Sequence, residues 1–457
     1  MQAVLISTYE LGRQPFGLAS PAAWLRQAGA RVVCLDLAVE RLDEEVIRAA
    51  DLVAFYLPMH TATRIAIRVV ERVKSLNPNV HLCFYGLYAS MNEPFLRRLG
   101  ADTILGGEFE EGLLNLTKRL AASPDKKRGV PQVEPVVSLG KQRFLVPDRS
   151  GLPALSSYAR LELGGGESRT VGYVEASRGC KHLCRHCPVV PVYQGRFRIV
   201  QQDVVLEDVR RQVAAGAEHI TFGDADFFNG IGHAVAVVQA LHAEHPHLTY
   251  DVTIKIEHIL EHAVHLKTLH DTGCLLVTSA VESIDDRVLA LLDKRHTRED
   301  FIRVVRLCRD AGLILNPTFV AFTPWVSVEG YQELLSLLAE LDLIDHVAPV
   351  QLAIRLLIPA GSRLLDLPEV RQMVQPFDEA LLVYPWYHRD PRVDQLQADA
   401  QALIKAAAAR GLSRRAIFSQ VWLLAEGASQ GSSRSLPHTA QIPPRVTIPY
   451  LTEPWYC

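Results

Sequence analysis

The chain is 457 residues long, 48% hydrophobic and 22% charged, an ordinary globular composition that excludes a disordered, collagen-like or coiled-coil polypeptide and leaves room for two or three domains. Lys and Arg number 48 against 51 Asp and Glu, so the formal charge is −3 and there is no global footprint for nucleic acid. Eight cysteines, at 34, 83, 180, 184, 187, 274, 308 and 457, are too sparse for a disulfide scaffold, yet three of them crowd together.

The N-terminus, Met1-Gln2-Ala3-Val4, lacks a basic n-region, and no run of about 18 uninterrupted apolar residues offers a membrane span. A soluble, reducing, cytoplasmic setting with no membrane partner is therefore expected.

Strand-like apolar runs at 3–7, 31–37, 52–57, 80–85 and 103–105 alternate with amphipathic helical stretches. This βαβ rhythm predicts a doubly wound parallel sheet over residues 1–121, with ligands at the strand ends around 8–17, 58–61, 86–90 and 106–110. Residues 122–168 carry Pro124, Lys126-Lys127-Arg128 and Gly164-Gly165-Gly166, and read as a connector with a small hairpin. A second alternation, over 169–365, places strands at 171–176, 219–222, 249–254, 275–279, 313–319 and 350–354. It predicts a full or partial βα barrel with its chemistry on the loops after the strands. Helical patterns fill 366–430, and a Ser/Gly/Pro/Gln-rich linker leads into a flexible tail, 431–457, ending in Cys457.

The cysteine cluster follows the first barrel strand in Ser177-Arg178-Gly179-Cys180-Lys181-His182-Leu183-Cys184-Arg185-His186-Cys187-Pro188. Three thiolates on one loop can hold three irons of a cubane cluster and leave the fourth open as a catalytic coordination site. A structural zinc site completed by His182 or His186 is the alternative, although it usually needs four ligands in two pairs.

The Cys-x3-Cys-x2-Cys loop after a first barrel strand resembles the radical SAM superfamily. The resemblance implies a partial (βα)6 barrel and a [4Fe-4S] cluster on Cys180, Cys184 and Cys187. It also implies S-adenosylmethionine bound at the open iron and cleaved reductively, an electron from a flavodoxin- or ferredoxin-type donor, and a substrate that remains to be identified. His186 takes the place of the family's aromatic residue. In Phe222-Gly223-Asp224-Ala225-Asp226 the resemblance assigns Gly223, Asp224 and Asp226 to the methionine ammonium, which a carboxylate would pair. Lys255 is matched with the methionine carboxylate, and Glu282, in Ser279-Ala280-Val281-Glu282-Ser283, with the ribose or amino end. Gln351 and Arg355 are placed to reach the same cofactor, with ordinary ion pairing as the alternative.

The front domain resembles the cobalamin-binding domain that precedes many such barrels. Gly86-Leu87-Tyr88-Ala89-Ser90 and Gly107-Glu108-Phe109-Glu110 stand in for two of its motifs, while the Asp-x-His-x-x-Gly element is missing. Cobalamin is thus a candidate cofactor, and methyl transfer a candidate reaction. The tail, Leu451-Thr452-Glu453-Pro454-Trp455-Tyr456-Cys457, looks like the subfamily named for a Cys-Cys-Ala-Glu-Pro or Cys-selenocysteine-Ala-Glu-Pro ending. In that reading a selenocysteine codon was taken as a stop, and Cys457 is a catalytic thiol. Cys34, Cys83, Cys274 and Cys308 sit in apolar runs and are expected in the core. The competing class is a non-enzymatic iron–sulfur or zinc-binding redox sensor.

Overall fold

The computed structural model describes residues 1–122, 131–429 and 448–452. The front sheet contains β1 (Gln2–Ser7), β2 (Arg31–Asp36), β3 (Leu52–Tyr56), β4 (His81–Tyr85), β5 (Thr103–Gly107) and β6 (Val137–Ser138), in the order β2-β1-β3-β4-β5-β6. All its pairings are parallel. Its strands are apolar without interruption because helices cover both faces. The two-residue period of the backbone sends Val4, Ile6, Val53, Phe55, Leu82 and Phe84 into one core and Leu5, Leu52, Ala54, Cys83 and Tyr85 into the other. The segment expected to be a connector contributes β6 at Gly106↔Val137 and Gly107↔Ser138, so the front sheet extends past residue 121.

The second sheet runs β14-β13-β12-β11-β8-β7-β15. Its parallel strands are β8 (Glu167–Val174), β11 (His219–Phe222), β12 (Thr249–Thr253), β13 (Cys274–Glu282) and β14 (Ile314–Phe319). This curled half-barrel fulfils the expected α/β architecture, with one correction. The sixth strand expected at 350–354 is a 3-10 turn, Pro349–Leu352, followed by the isolated bridge Phe322↔Arg355 in place of a strand ladder. Pro317 inside β14 and Pro349 both lack the N–H that a sixth ladder would draw on.

Antiparallel β7 (Arg160–Gly164) lies beside β8, and β15 (Tyr450–Leu451) pairs antiparallel with β7. Thr452 N donates to Arg160 O at 2.8 Å, and Arg160 N donates to Thr452 Oγ1 at 2.9 Å. Part of the tail expected to be flexible is therefore a barrel strand; Cys457 lies outside the described residues. The helices Pro391–Ala409 and Arg414–Ala428 bury Leu396, Ile404, Phe418 and Trp422 in the barrel's own core and form no separate unit.

Arg149 ties the two sheets together. It donates to Gln14 Oε1 of the front domain, to both oxygens of Asp208 and to Tyr173 O of β8, all within 2.7–2.9 Å. Cys34, Cys83, Cys274 and Cys308 are all buried, as expected. No helix among the described residues is long and apolar enough to cross a membrane.

Candidate functional site

The cysteine loop is presented by a short hairpin. After β8, β9 (Ser177–Gly179) pairs antiparallel with β10 (Phe197–Ile199) through Gly179↔Phe197. Gly179 has φ +78°, and a Cβ there would lie 2.4 Å from the Tyr193 ring and 2.5 Å from Arg196 O, so the turn admits only glycine. Cys180 N then donates to Arg196 O at 3.1 Å, Arg185 N to Leu292 O at 2.9 Å and Cys187 N to Cys184 O at 3.2 Å. These bonds fasten the loop at its start, middle and end.

Cys184 is buried, Cys180 and Cys187 are half-buried, and each thiol lies in the electrostatic field of the others. Burial pushes Cys180 up to about 12 and Cys187 up to about 11. Three thiols on one loop form a donor set that fits a site-differentiated iron–sulfur cluster. The donor atoms of Cys180, His182 and Asp226 lie within 4.8 Å of one another, but that set leaves out Cys184 and Cys187.

Two groups of side chains flank the loop. On one side, His186 Nε2 lies 3.0 Å and Lys294 Nζ 3.4 Å from Glu282 Oε1. Glu282 ends β13 at a register shift with φ +69°, outside the region its side chain prefers. Burial alone would raise its carboxyl, but Lys294 and His186 outweigh that and hold it down at about 2. His186 Nδ1 is buried and has no hydrogen-bond partner among the described residues.

On the other side, Asp226 Oδ2 lies 2.7 Å from His258 Nδ1 and 3.4 Å from His182 Nε2. Lys255 Nζ lies 2.8 Å from Glu257 Oε2 and 3.2 Å from His182 Nδ1. The structure thus brings His186 and Glu282 together, and links Asp226 to Lys255 through His182.

Three expected cofactor contacts have partners within the chain. Asp224 accepts from Ala176 N at 3.0 Å and Ser177 Oγ at 2.5 Å, so both its oxygens anchor the hairpin. Gln351 Oε1 accepts from Phe319 N at 3.0 Å. Arg355 stacks 3.5 Å over the Trp386 ring and pairs with Asp394 at 2.7 Å, so the ion-pairing alternative holds for it. Gly223 packs beneath Tyr173, whose hydroxyl would lie 1.8 Å from an added Cβ.

Sequence reasoning missed Arg178. It is 7% exposed and joins the hairpin to the front domain, with Nη1 2.6 Å from Glu110 Oε1 and 3.3 Å from Glu108 Oε2, and Nε 2.7 Å from Glu175 Oε2. The rings of Phe16, Phe109 and Phe144 surround it at 5.0–5.5 Å. Burial pushes Glu108 up to about 7, with Arg178 opposing, whereas Arg178, Ser20 and Gln142 overcome burial at Glu110 and lower it. A basic residue two positions before a cysteine carries no local signal of its front-domain partners. Glu175 is three residues away on the same loop, but Glu108 and Glu110 lie some 70 positions away and meet Arg178 only where the two domains dock.

Residues 174–339 match the radical SAM superfamily and residues 3–117 the B12 binding domain. Hopanoid C-3 methylase of Methylococcus capsulatus is 26% identical over 325 residues, 68% of this chain and 62% of the methylase. The tRNA-2-methylthio-N(6)-dimethylallyladenosine synthase of Thermobifida fusca is 25% identical over 68% of this chain and 60% of the synthase. The chain therefore spans less than two thirds of either relative. Among solved structures, the cobalamin-dependent S-adenosylmethionine radical enzyme OxsB, with aqua-cobalamin and S-adenosylmethionine bound, aligns with a TM-score of 0.67 at 13% identity, covering 89% of this chain and 67% of that one. The radical S-adenosylmethionine methyltransferase TsrM from Kitasatospora setae aligns with a TM-score of 0.58 at 19% identity, covering 75% and 71%. Both structural likenesses are likenesses of fold.

Proposed function

From the radical SAM and B12-binding domains that the chain carries, and its resemblance to cobalamin-dependent radical SAM methylases, we propose that this enzyme holds a [4Fe-4S] cluster on Cys180, Cys184 and Cys187 and uses it to cleave S-adenosylmethionine reductively, modifying a substrate. The radical SAM domain implies both the cluster and S-adenosylmethionine, and the B12-binding domain makes cobalamin a possible third cofactor. A non-catalytic sensor is not favoured. The observation that supports the reading is the placing of three cysteines on one loop fastened at its start, middle and end, beside a half-barrel's strand ends.

When bound, such a cluster supplies one electron and an open coordination position. The residues of the chain then bind and orient. Glu282, kept anionic by Lys294 and His186, accepts hydrogen bonds from ribose hydroxyls or an ammonium. Asp226, lowered by His182 and His258 against its burial, offers a second anion, and Lys255 offers a cation to a carboxylate. Gly223 has no room for a side chain beneath the Tyr173 ring, and this fixes the backbone at the end of β11 beside the loop. A one-electron donor of flavodoxin or ferredoxin type and a cytoplasmic setting belong to the same proposal. So does Cys457 as a thiol acting with the site, which rests on the tail's likeness alone.

The names of the methylase and methyltransferase relatives favour a second reading in which the group transferred is methyl. Anaerobic reconstitution with iron and sulfide, followed by S-adenosylmethionine and dithionite, tests both. Four irons and four sulfides per chain, lost when the three cysteines are replaced by alanine, and release of 5′-deoxyadenosine support the first reading. S-adenosylhomocysteine would point to methyl transfer, and stoichiometric zinc without iron or sulfide would overturn the proposal.

A further inference from the structure

We propose that the front domain of this chain holds no cobalamin, because the strand ends that would seat it are filled by Tyr56, Tyr85, Phe109 and Arg178. The inference rests on the radical SAM reading above and narrows the reaction that the cysteine loop serves.

Ligands of open parallel sheets sit at the carboxyl ends of the strands, here the ends of β3, β4 and β5. Tyr56 closes β3, Tyr85 closes β4 and Phe109 follows β5. Their ring centroids lie 5.0–5.8 Å apart, in mutual contact. Each ring is committed. A Cβ on Gly17 would sit 2.1 Å from the Tyr56 ring, so the opening that glycine leaves in the helix Phe16–Gln27 is taken by this chain's own side chain. Tyr85 Oη donates to Gly17 O at 2.8 Å, and that carbonyl has no helical donor because the residue four positions on is Pro21. Phe109 faces the Arg178 guanidinium at 5.3 Å.

The glycines of the two segments that resemble cobalamin-binding motifs are also used internally. A Cβ on Gly86 would meet Leu57 O at 2.9 Å, and one on Gly107 would meet Ser138 O at 2.2 Å. Glu108, in the second of those motifs, points to Arg178 and to Tyr193 Oη, which donates to it at 3.1 Å.

The space that remains is small. The cavity between front domain and cysteine loop, bounded by Tyr56, Gly86, Phe109, Arg178 and Tyr193, holds about 110 Å³, below the roughly 300–1,000 Å³ that even drug-sized ligands occupy. A larger cleft of about 590 Å³ runs along Gly106, Gly112, Lys118 and Glu134. Glu108, on its wall, is bonded to Arg178, and that ion-pair cluster separates the cleft from the cysteine loop. A macrocycle with a nucleotide arm would have to expel the buried Tyr85 and Phe109 rings, the half-buried Tyr56 ring and a guanidinium with three carboxylate partners. The domain instead anchors the hairpin that carries the cysteines, and any group taken from S-adenosylmethionine passes to substrate without a corrinoid carrier.

The test uses the full chain, reconstituted anaerobically and incubated with hydroxocobalamin or methylcobalamin. After desalting, corrinoid absorbance per chain is read, and thermal unfolding is compared with and without the corrinoid. The expected result is less than a tenth of an equivalent retained and no shift in Tm, since a ligand binding only the folded state must raise it. Retention near one equivalent, or a saturable rise in Tm, overturns the inference. Iron, sulfide and 5′-deoxyadenosine are measured on the same sample. Corrinoid retained alongside cleavage removes this inference and leaves the radical SAM reading standing. Absence of iron and sulfide removes that reading, while the corrinoid content still decides this one.

Discussion

Arg178→Met tests whether the buried cation holds the hairpin to the front domain. Methionine keeps much of the packing against Phe16, Phe109 and Phe144 but leaves Glu108, Glu110 and Glu175 without the guanidinium that lies 2.6–3.3 Å from them. Removing one partner of a buried ion pair costs about 3–5 kcal/mol, and because Arg178 joins both domains, spreading that over the unfolding entropy of the whole chain gives a fall in Tm of about 3–5 °C. The cost depends on pH in a definite direction. Burial already lifts Glu108 to about 7 and raises Glu175 with Arg178 present; without it these two rise further, and Glu110 loses the guanidinium that holds it down. A carboxyl whose folded-state value exceeds its unfolded one is neutral and harmless at low pH, then destabilises the fold as pH climbs through the raised value. The variant should therefore lose most stability at pH 8 and clearly less at pH 6. Thermal unfolding followed by circular dichroism at both values, with iron content after reconstitution as a second readout, checks this. A loss under about 2 °C at both pH values, or a larger loss at pH 6 than at pH 8, would refute the assignment.

Three further outcomes follow from the same geometry. Gly179→Ala should yield folded protein with at most a small fraction of the wild-type iron and sulfide, because its Cβ meets the Tyr193 ring and Arg196 O at 2.4–2.5 Å; wild-type loading by metal analysis would contradict the strained turn. Tyr85→Phe should cost about 1–3 kcal/mol in denaturant unfolding by orphaning the Gly17 carbonyl, and a neutral result would mean that another donor reaches it. Burial lifts Asp36 to about 6, so its ionisation weakens the fold as pH rises from about 4 to 6, by about 3 kcal/mol at most. Asp36→Asn should accordingly raise Tm at pH 8 and leave it unchanged near pH 4, and an equal gain at both would exclude ionisation as the cause.

The features legible beforehand were those carried by neighbours in sequence. Cys180, Cys184 and Cys187 fall on one loop whatever the rest of the chain does, because two short spacings and a glycine define it. The strands of both sheets showed as apolar runs because parallel strands are buried on both faces, and the four isolated cysteines showed as core residues for the same reason. His186 and Glu282 could be matched separately to the site, but their 3.0 Å contact joins residues nearly a hundred positions apart.

Long-range competition for hydrogen bonds and space decided the rest. Asp224 stands in the same short run as Asp226, yet the first is taken by Ala176 N and Ser177 Oγ while the second faces two histidines. The expected sixth strand gave way to a turn at Pro349, and residues 450–451, inside a tail expected to be flexible, found an unpaired edge on β7. Sequence by itself determined the α/β architecture of both sheets and the three-cysteine loop, since both follow from local periodicity and spacing. Only the tertiary structure decided what surrounds that loop. Arg178 acquires Glu108 and Glu110 in addition to its neighbour Glu175, and the front domain's strand ends their aromatic filling, where the two sheets dock, and no local pattern encodes which side chains meet there.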